Sequence, residues 1–90
     1  MTKLANAQFL ANAQAIITWG RALTAEEATA LTNAKIALIN GGAMCGTGEE
    51  DQTTYVETIS WSTADAANSY VATCNTFSPA PQSATVVVAL

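Results

Sequence analysis

The 90-residue chain carries only three basic residues, Lys3, Arg21 and Lys35, against seven acidic ones, with no histidine and a formal net charge of −4. Three scattered cations cannot form the clustered patch that grips phosphates, so nucleic acid is not an expected partner; without histidine the usual general base, zinc ligand and proton shuttle are missing. Half the residues are apolar but nineteen are alanine, so a single small core is expected, one that leaves an isolated chain near the balance between apolar burial and chain entropy.

The N-terminal stretch has the spacing of a helix. Phe9, Leu10, Ala13, Ile16, Ile17 and Gly20 recur as one face of a 3.6-residue period, which predicts a helix from Thr2 to about Ala22. Asn6, Gln8, Asn12 and Gln14 interrupt any apolar core of a signal peptide, and no apolar run approaches the length of a membrane span. The expectation is a protein made in the cytoplasm, with no membrane partner.

Thr24 followed by Glu27 is a capping box, each side chain positioned to bond the other's backbone N–H, and it predicts the start of a second helix. Ala28, Leu31, Ala34, Leu38 and Ile39 supply its apolar stripe, and Gly41 and Gly42 supply residues able to take positive φ at its C-terminus. Residues 1–42 are therefore expected to form a helical hairpin.

Residues 43–52 read as a loop rich in glycine and acid. Its glycines leave a helix instead of leading a strand into one, and no lysine follows, so it is not a phosphate loop. The adjacent Glu49, Glu50 and Asp51 lack the alternation of a calcium loop, and no metal or cofactor is expected.

Residues 53–90 read as strand, helix, strand. In the strand Thr53–Trp61, Tyr55, Glu57, Ile59 and Trp61 share the expected core face. Ser62 and Asp65 form a second capping-box pattern ahead of a helix over Thr63–Phe77, whose stripe is Ala66, Ala67, Tyr70, Val71, Cys74 and Phe77. Pro79 and Pro81 then stop the helix before the strand Ala84–Leu90, whose unbroken apolar character predicts cover on both faces. Cys74 reads as a small core hydrophobe and Cys45 as a loop thiol; whether they pair is left open by the sequence.

The predicted fold is α+β: one domain, a two-helix hairpin packed on a βαβ unit. Two strands make a marginal sheet with unpaired edges, so the sheet is expected to be completed by oligomerisation or by a larger assembly. The expected interface residues are Trp61, Tyr70, Val86, Val87, Val88 and Leu90, and no catalytic residue is expected.

The segment Ile59–Val88, in particular Trp-Ser-Thr-Ala-Asp-Ala-Ala-Asn-Ser-Tyr at 61–70, Asn-Thr-Phe-Ser-Pro-Ala-Pro at 75–81 and Ser-Ala-Thr-Val-Val at 83–87, resembles the ends of small structural proteins of tailed phages. The resemblance implies a virion component such as a capsid decoration, neck or tail-accessory protein, with partners among copies of itself or a capsid or tail protein. It brings no active site. The alternative expectation is an intracellular phage accessory protein that inhibits or sequesters a host defence factor.

Overall fold

The computed structural model describes residues 12–46, 50–51 and 55–88. Where the first helix of a hairpin is predicted, the described residues instead begin with a strand, β1 (Ala13–Thr18). Its buried residues are Ala13, Ala15, Ile17 and the following Trp19, a period of two that the overlapping helical spacing masks. Ile16, Ile17 and Thr18 are β-branched and favour extended backbone. The remainder of the predicted first helix, residues 1–11, lies outside the described residues.

After a turn at Gly20, where φ is +73°, helix α1 (Ala25–Asn40) begins at the predicted capping box. Thr24 Oγ1 accepts from the Glu27 N–H at 3.1 Å, and Glu27 Oε1 accepts from the Thr24 N–H at 2.9 Å. The helix ends in a Schellman motif. Ala43 N–H donates to Leu38 C=O at 3.1 Å and Gly42 N–H to Ile39 C=O at 3.0 Å, with Gly42 at φ +112°. Of the two glycines, only Gly42 uses positive φ.

The predicted loop contains two short strand segments, β2 (Cys45–Gly46) and β3 (Glu50–Asp51), both antiparallel to β4 (Val56–Trp61). Cys45 faces Trp61 while Glu50 faces Glu57, so their registers differ by one residue, the offset a β-bulge leaves. Helix α2 (Ala64–Cys74) follows, then β5 (Ser83–Val88). The N-cap of α2 is Thr63, whose hydroxyl accepts from the Ala66 N–H at 3.1 Å, one residue later than the predicted Ser62. Ser62 instead closes the β2–β4 ladder: its N–H donates to Met44 C=O and its hydroxyl accepts from the Met44 N–H, both at 2.9 Å.

The sheet order is β2-β4-β1-β5, with β3 beside β4, and every pairing is antiparallel. Strands β4 and β5 do not pair with each other, because β1 lies between them. The predicted βαβ unit is therefore split, and β1-α1-β2 is split likewise around β4. Two interleaved split units in this strand order make the ferredoxin-like βαββαβ arrangement. The sheet is thus built within one chain and is not a two-stranded fragment awaiting completion.

One face of the sheet meets the helices. Across it run the registers Val88–Ala13–Trp61–Cys45, Val86–Ala15–Ile59 and Ala84–Ile17–Glu57. Alanines on the central strand make room for the large side chains of the core, Trp19, Trp61 and Tyr70, each no more than 2% exposed. The α2 stripe is as predicted: Ala66, Ala67, Tyr70 and Cys74 are buried, with Val71 and Phe77 packed against them. Trp61 and Tyr70 meet at 5.6 Å between ring centroids, and Trp19 and Phe77 at 5.3 Å, in tilted contacts that favour aromatic pairs. No described helix is long and apolar enough to cross a membrane.

Candidate functional site

The ionisable groups drawn into the core are closed off by it. Glu57, on the inner face of β4 and 4% exposed, accepts at Oε1 from the Tyr70 hydroxyl at 3.0 Å and from Trp19 Nε1 at 3.5 Å. Burial, and then the nearby Glu57 carboxylate, raise the phenol of Tyr70 above its ordinary value. The same two causes push the Cys74 thiol up to about 12. Burial also raises Cys45, partly offset by Lys35. Both cysteines are free and buried, and thiols held in this direction are not nucleophiles near neutral pH. The Lys35 ammonium lies 5.6 Å from the centroid of the Tyr70 ring, a cation–π contact between α1 and α2. Glu57 gives the buried hydroxyl of Tyr70 and the indole N–H of Trp19 an acceptor, whereas Trp61 Nε1 is buried with no hydrogen-bond partner among the described residues.

A second polar cluster lies where the chain leaves β1. Arg21 stacks 5.4 Å from the centroid of Trp19, donates to both carboxylate oxygens of Glu27 at 2.9 and 3.0 Å, and donates to Pro79 C=O at 2.8 Å. The guanidinium, with the Thr24 N–H behind it, pulls the Glu27 carboxyl down to about 2. This clasp ties the start of α1 to the segment that leads into β5. Between the end of α1 and the start of α2 lies a shallow groove of about 390 Å³, whose one ionisable lining group among the described residues is Asp65. Among the described residues no cluster of three or more His, Cys, Asp or Glu is placed to hold a metal ion.

The residues predicted for an interface divide sharply. Trp61 and Tyr70 are fully buried within the chain, because β4 turns Trp61 inward beneath α2; neither offers a surface to a partner. Val86 is half-buried, Val87 is 48% exposed and Val88 53% exposed; Leu90 lies outside the described residues. Cover on both faces of the last strand is also corrected. Among the described residues β5 pairs with β1 alone, which leaves its second edge without a strand partner, and Ser83, Thr85 and Val87 on its outer face are exposed.

The phase of that bare edge follows from the ladders. Trp19 N–H donates to Tyr55 C=O at 3.0 Å and, by the β1–β4 register, these residues lie opposite. Odd-numbered residues of β1 therefore bond to β4 and even-numbered ones to β5, since successive backbone groups of a strand point to opposite sides. Through the register Gln14–Val87, Ile16–Thr85 and Thr18–Ser83, the backbone groups of Ser83, Thr85 and Val87 are used within the chain. Those of Ala84, Val86 and Val88 point outward. The outer edge of Ser83–Val88 holds no proline, glycine or charge, residues that blunt an open strand. The sequence carried a signal for this edge in its uncharged β-branched run, but its phase required the register.

Comparison with family models, with curated proteins and with solved structures finds no match to this chain.

Proposed function

We propose that this chain is a non-catalytic assembly protein that works by adding β5 to a sheet in a neighbouring subunit. The observation that carries the reading is the outer edge of β5: six residues long, uncharged and free of proline, with backbone donors and acceptors at Ala84, Val86 and Val88 directed away from the fold. Strand addition uses such an edge, taking affinity from main-chain hydrogen bonds. The setting is the one implied by the resemblance of residues 59–88, a phage virion, in which the chain serves as a capsid decoration, neck or tail-accessory protein.

The test is co-purification with intact particles, using the wild-type chain and Val86→Pro. Proline is tolerated on an edge strand where the lost N–H faced solvent, so this variant keeps the fold and loses an outward donor. The wild type is expected in particles at fixed stoichiometry and the variant is expected to be depleted. A chain abundant in infected cells but absent from particles overturns the virion role.

A further inference from the structure

We infer that the occupant of the β5 edge is β5 of a second copy of this chain, paired antiparallel about a two-fold axis at Val86. The inference rests on the reading of β5 as the assembling edge and adds the partner, the symmetry and the register.

Three observations select this partner. First, only an antiparallel register that sets outward-facing residues against outward-facing residues can form hydrogen-bonded pairs. With the outward set Ala84, Val86 and Val88, the two-fold at Val86 uses all of it: Ala84 of each copy faces Val88 of the other, and Val86 faces Val86. A two-fold at Thr85 or at Val87 leaves at least one member of the set without its mate. Second, this register fits by size. The side chain of Val88, 53% exposed, comes to lie beside the small Ala84 of the other copy on the helix-covered face. Thr85 comes opposite Val87, itself 48% exposed, on the open face. Third, the strand Ser83–Val88 contains no charged residue, so two copies of a chain of net charge −4 meet without like charges directly opposite, which would oppose pairing. A partner selected by charge would have no group on this strand to recognise.

The product is a continuous antiparallel sheet through two chains, with the helices of both copies on the same side. A C2 interface of this kind is isologous, so each residue pair occurs twice.

Register-specific cross-linking tests it. Thr85 and Val87 of opposing copies form a non-hydrogen-bonded pair, whose Cα separation of about 4.5 Å suits a disulfide. Chains carrying Thr85→Cys and Val87→Cys are mixed and oxidised, with buried Cys45 and Cys74 left in place. The mixture is expected to form a mixed cross-linked dimer roughly tenfold faster than either variant alone, where the like residues sit on a diagonal about 7–8 Å apart. Adding Val86→Pro to both chains is expected to abolish it. Equal rates in all three samples, or cross-linking that survives Val86→Pro, overturns the inference. So does a mass of one chain, 9.3 kDa, at every concentration tested. If that monomer still docks on particles and loses docking with Val86→Pro, the strand-addition reading stands without the self-pairing. A cross-linked pair that never enters particles leaves the pairing standing and removes the virion role.

Discussion

The two edges of the sheet are built on opposite plans. At one, the described segments beside β4, β2 and β3, have registers one residue apart, and β3 consists of Glu50 and Asp51. A register offset and acidic residues are features that keep an edge from recruiting another strand. At the other edge β5 runs six residues without interruption, charge or proline. Folding alone would be served by guarding both. Among the described residues one edge is guarded and the other open, a polarity that makes β5 the edge where assembly is expected.

That polarity is sharpest between neighbouring residues of β5. Thr85→Pro removes an N–H from the β1 ladder and leaves an inward carbonyl partner unmet, a loss of about 1–3 kcal/mol, together with the steric conflict of a ring facing β1. Urea denaturation is expected to show that loss for Thr85→Pro and less than about 1 kcal/mol for Val86→Pro in the monomer, since edge positions facing solvent tolerate proline. Equal losses would mean that the phase of the strand is wrong.

Stability and association also separate at the core. Tyr70→Phe deletes the hydroxyl donor to buried Glu57 and is expected to cost about 1–3 kcal/mol in urea denaturation. Under conditions where the variant remains folded, its association is expected to be unchanged. A smaller free-energy change of the opposite kind is expected from Val88→Lys. Its side chain is already half-exposed, so monomer stability moves by less than about 0.5 kcal/mol. Association weakens by about tenfold, equivalent to about 1.4 kcal/mol, as two lysines are brought to the same interface. Neutralising the guarded edge with Glu50→Gln and Asp51→Asn is expected to leave the mass of the assembly unchanged.

The smallest expected effect concerns the clasp that feeds β5. The Glu27 carboxyl lies at about 2 in the fold against an ordinary 4.5, a depressed value, so its contribution is fully present above about pH 4.5 and is lost as the pH falls towards 2. Glu27→Gln is expected to lower the thermal midpoint at pH 6, with the difference from wild type shrinking steadily between pH 4.5 and 2. A difference that persists at pH 2 would show that the carboxylate's charge is not the source.

What the sequence made legible follows the strength of local signals. Thr24 and Glu27 specify a helix start through contacts three residues apart, and the Ala66–Phe77 stripe specifies a buried helix face; both are present as read. The α+β class and the inward set Glu57, Ile59 and Trp61 were likewise legible. Strand β1 was not, because Ala13, Ile16, Ile17 and Gly20 satisfy a helical period by accident. The alanines at 13 and 15 are there for a tertiary reason: they sit opposite Trp61 and Ile59. Missing β1 made the sheet look incomplete, and that premise for assembly falls. The premise that replaces it, an unguarded edge of known phase, depends on pairing between residues some seventy positions apart, which composition and period do not encode. Trp61 and Tyr70 were placed at an interface because large aromatics serve interfaces and cores alike, and only the three-dimensional layering assigns them to the core.

Amide hydrogen exchange along β5, followed by NMR across a range of protein concentrations, measures the central claim residue by residue. The account predicts that Thr85 and Val87 are protected at every concentration, through their bonds to β1, while Ala84, Val86 and Val88 exchange freely in dilute protein and become protected as the dimer forms. Free exchange at Ala84, Val86 and Val88 in a sample whose mass is twice 9.3 kDa would place the contact elsewhere and contradict the account.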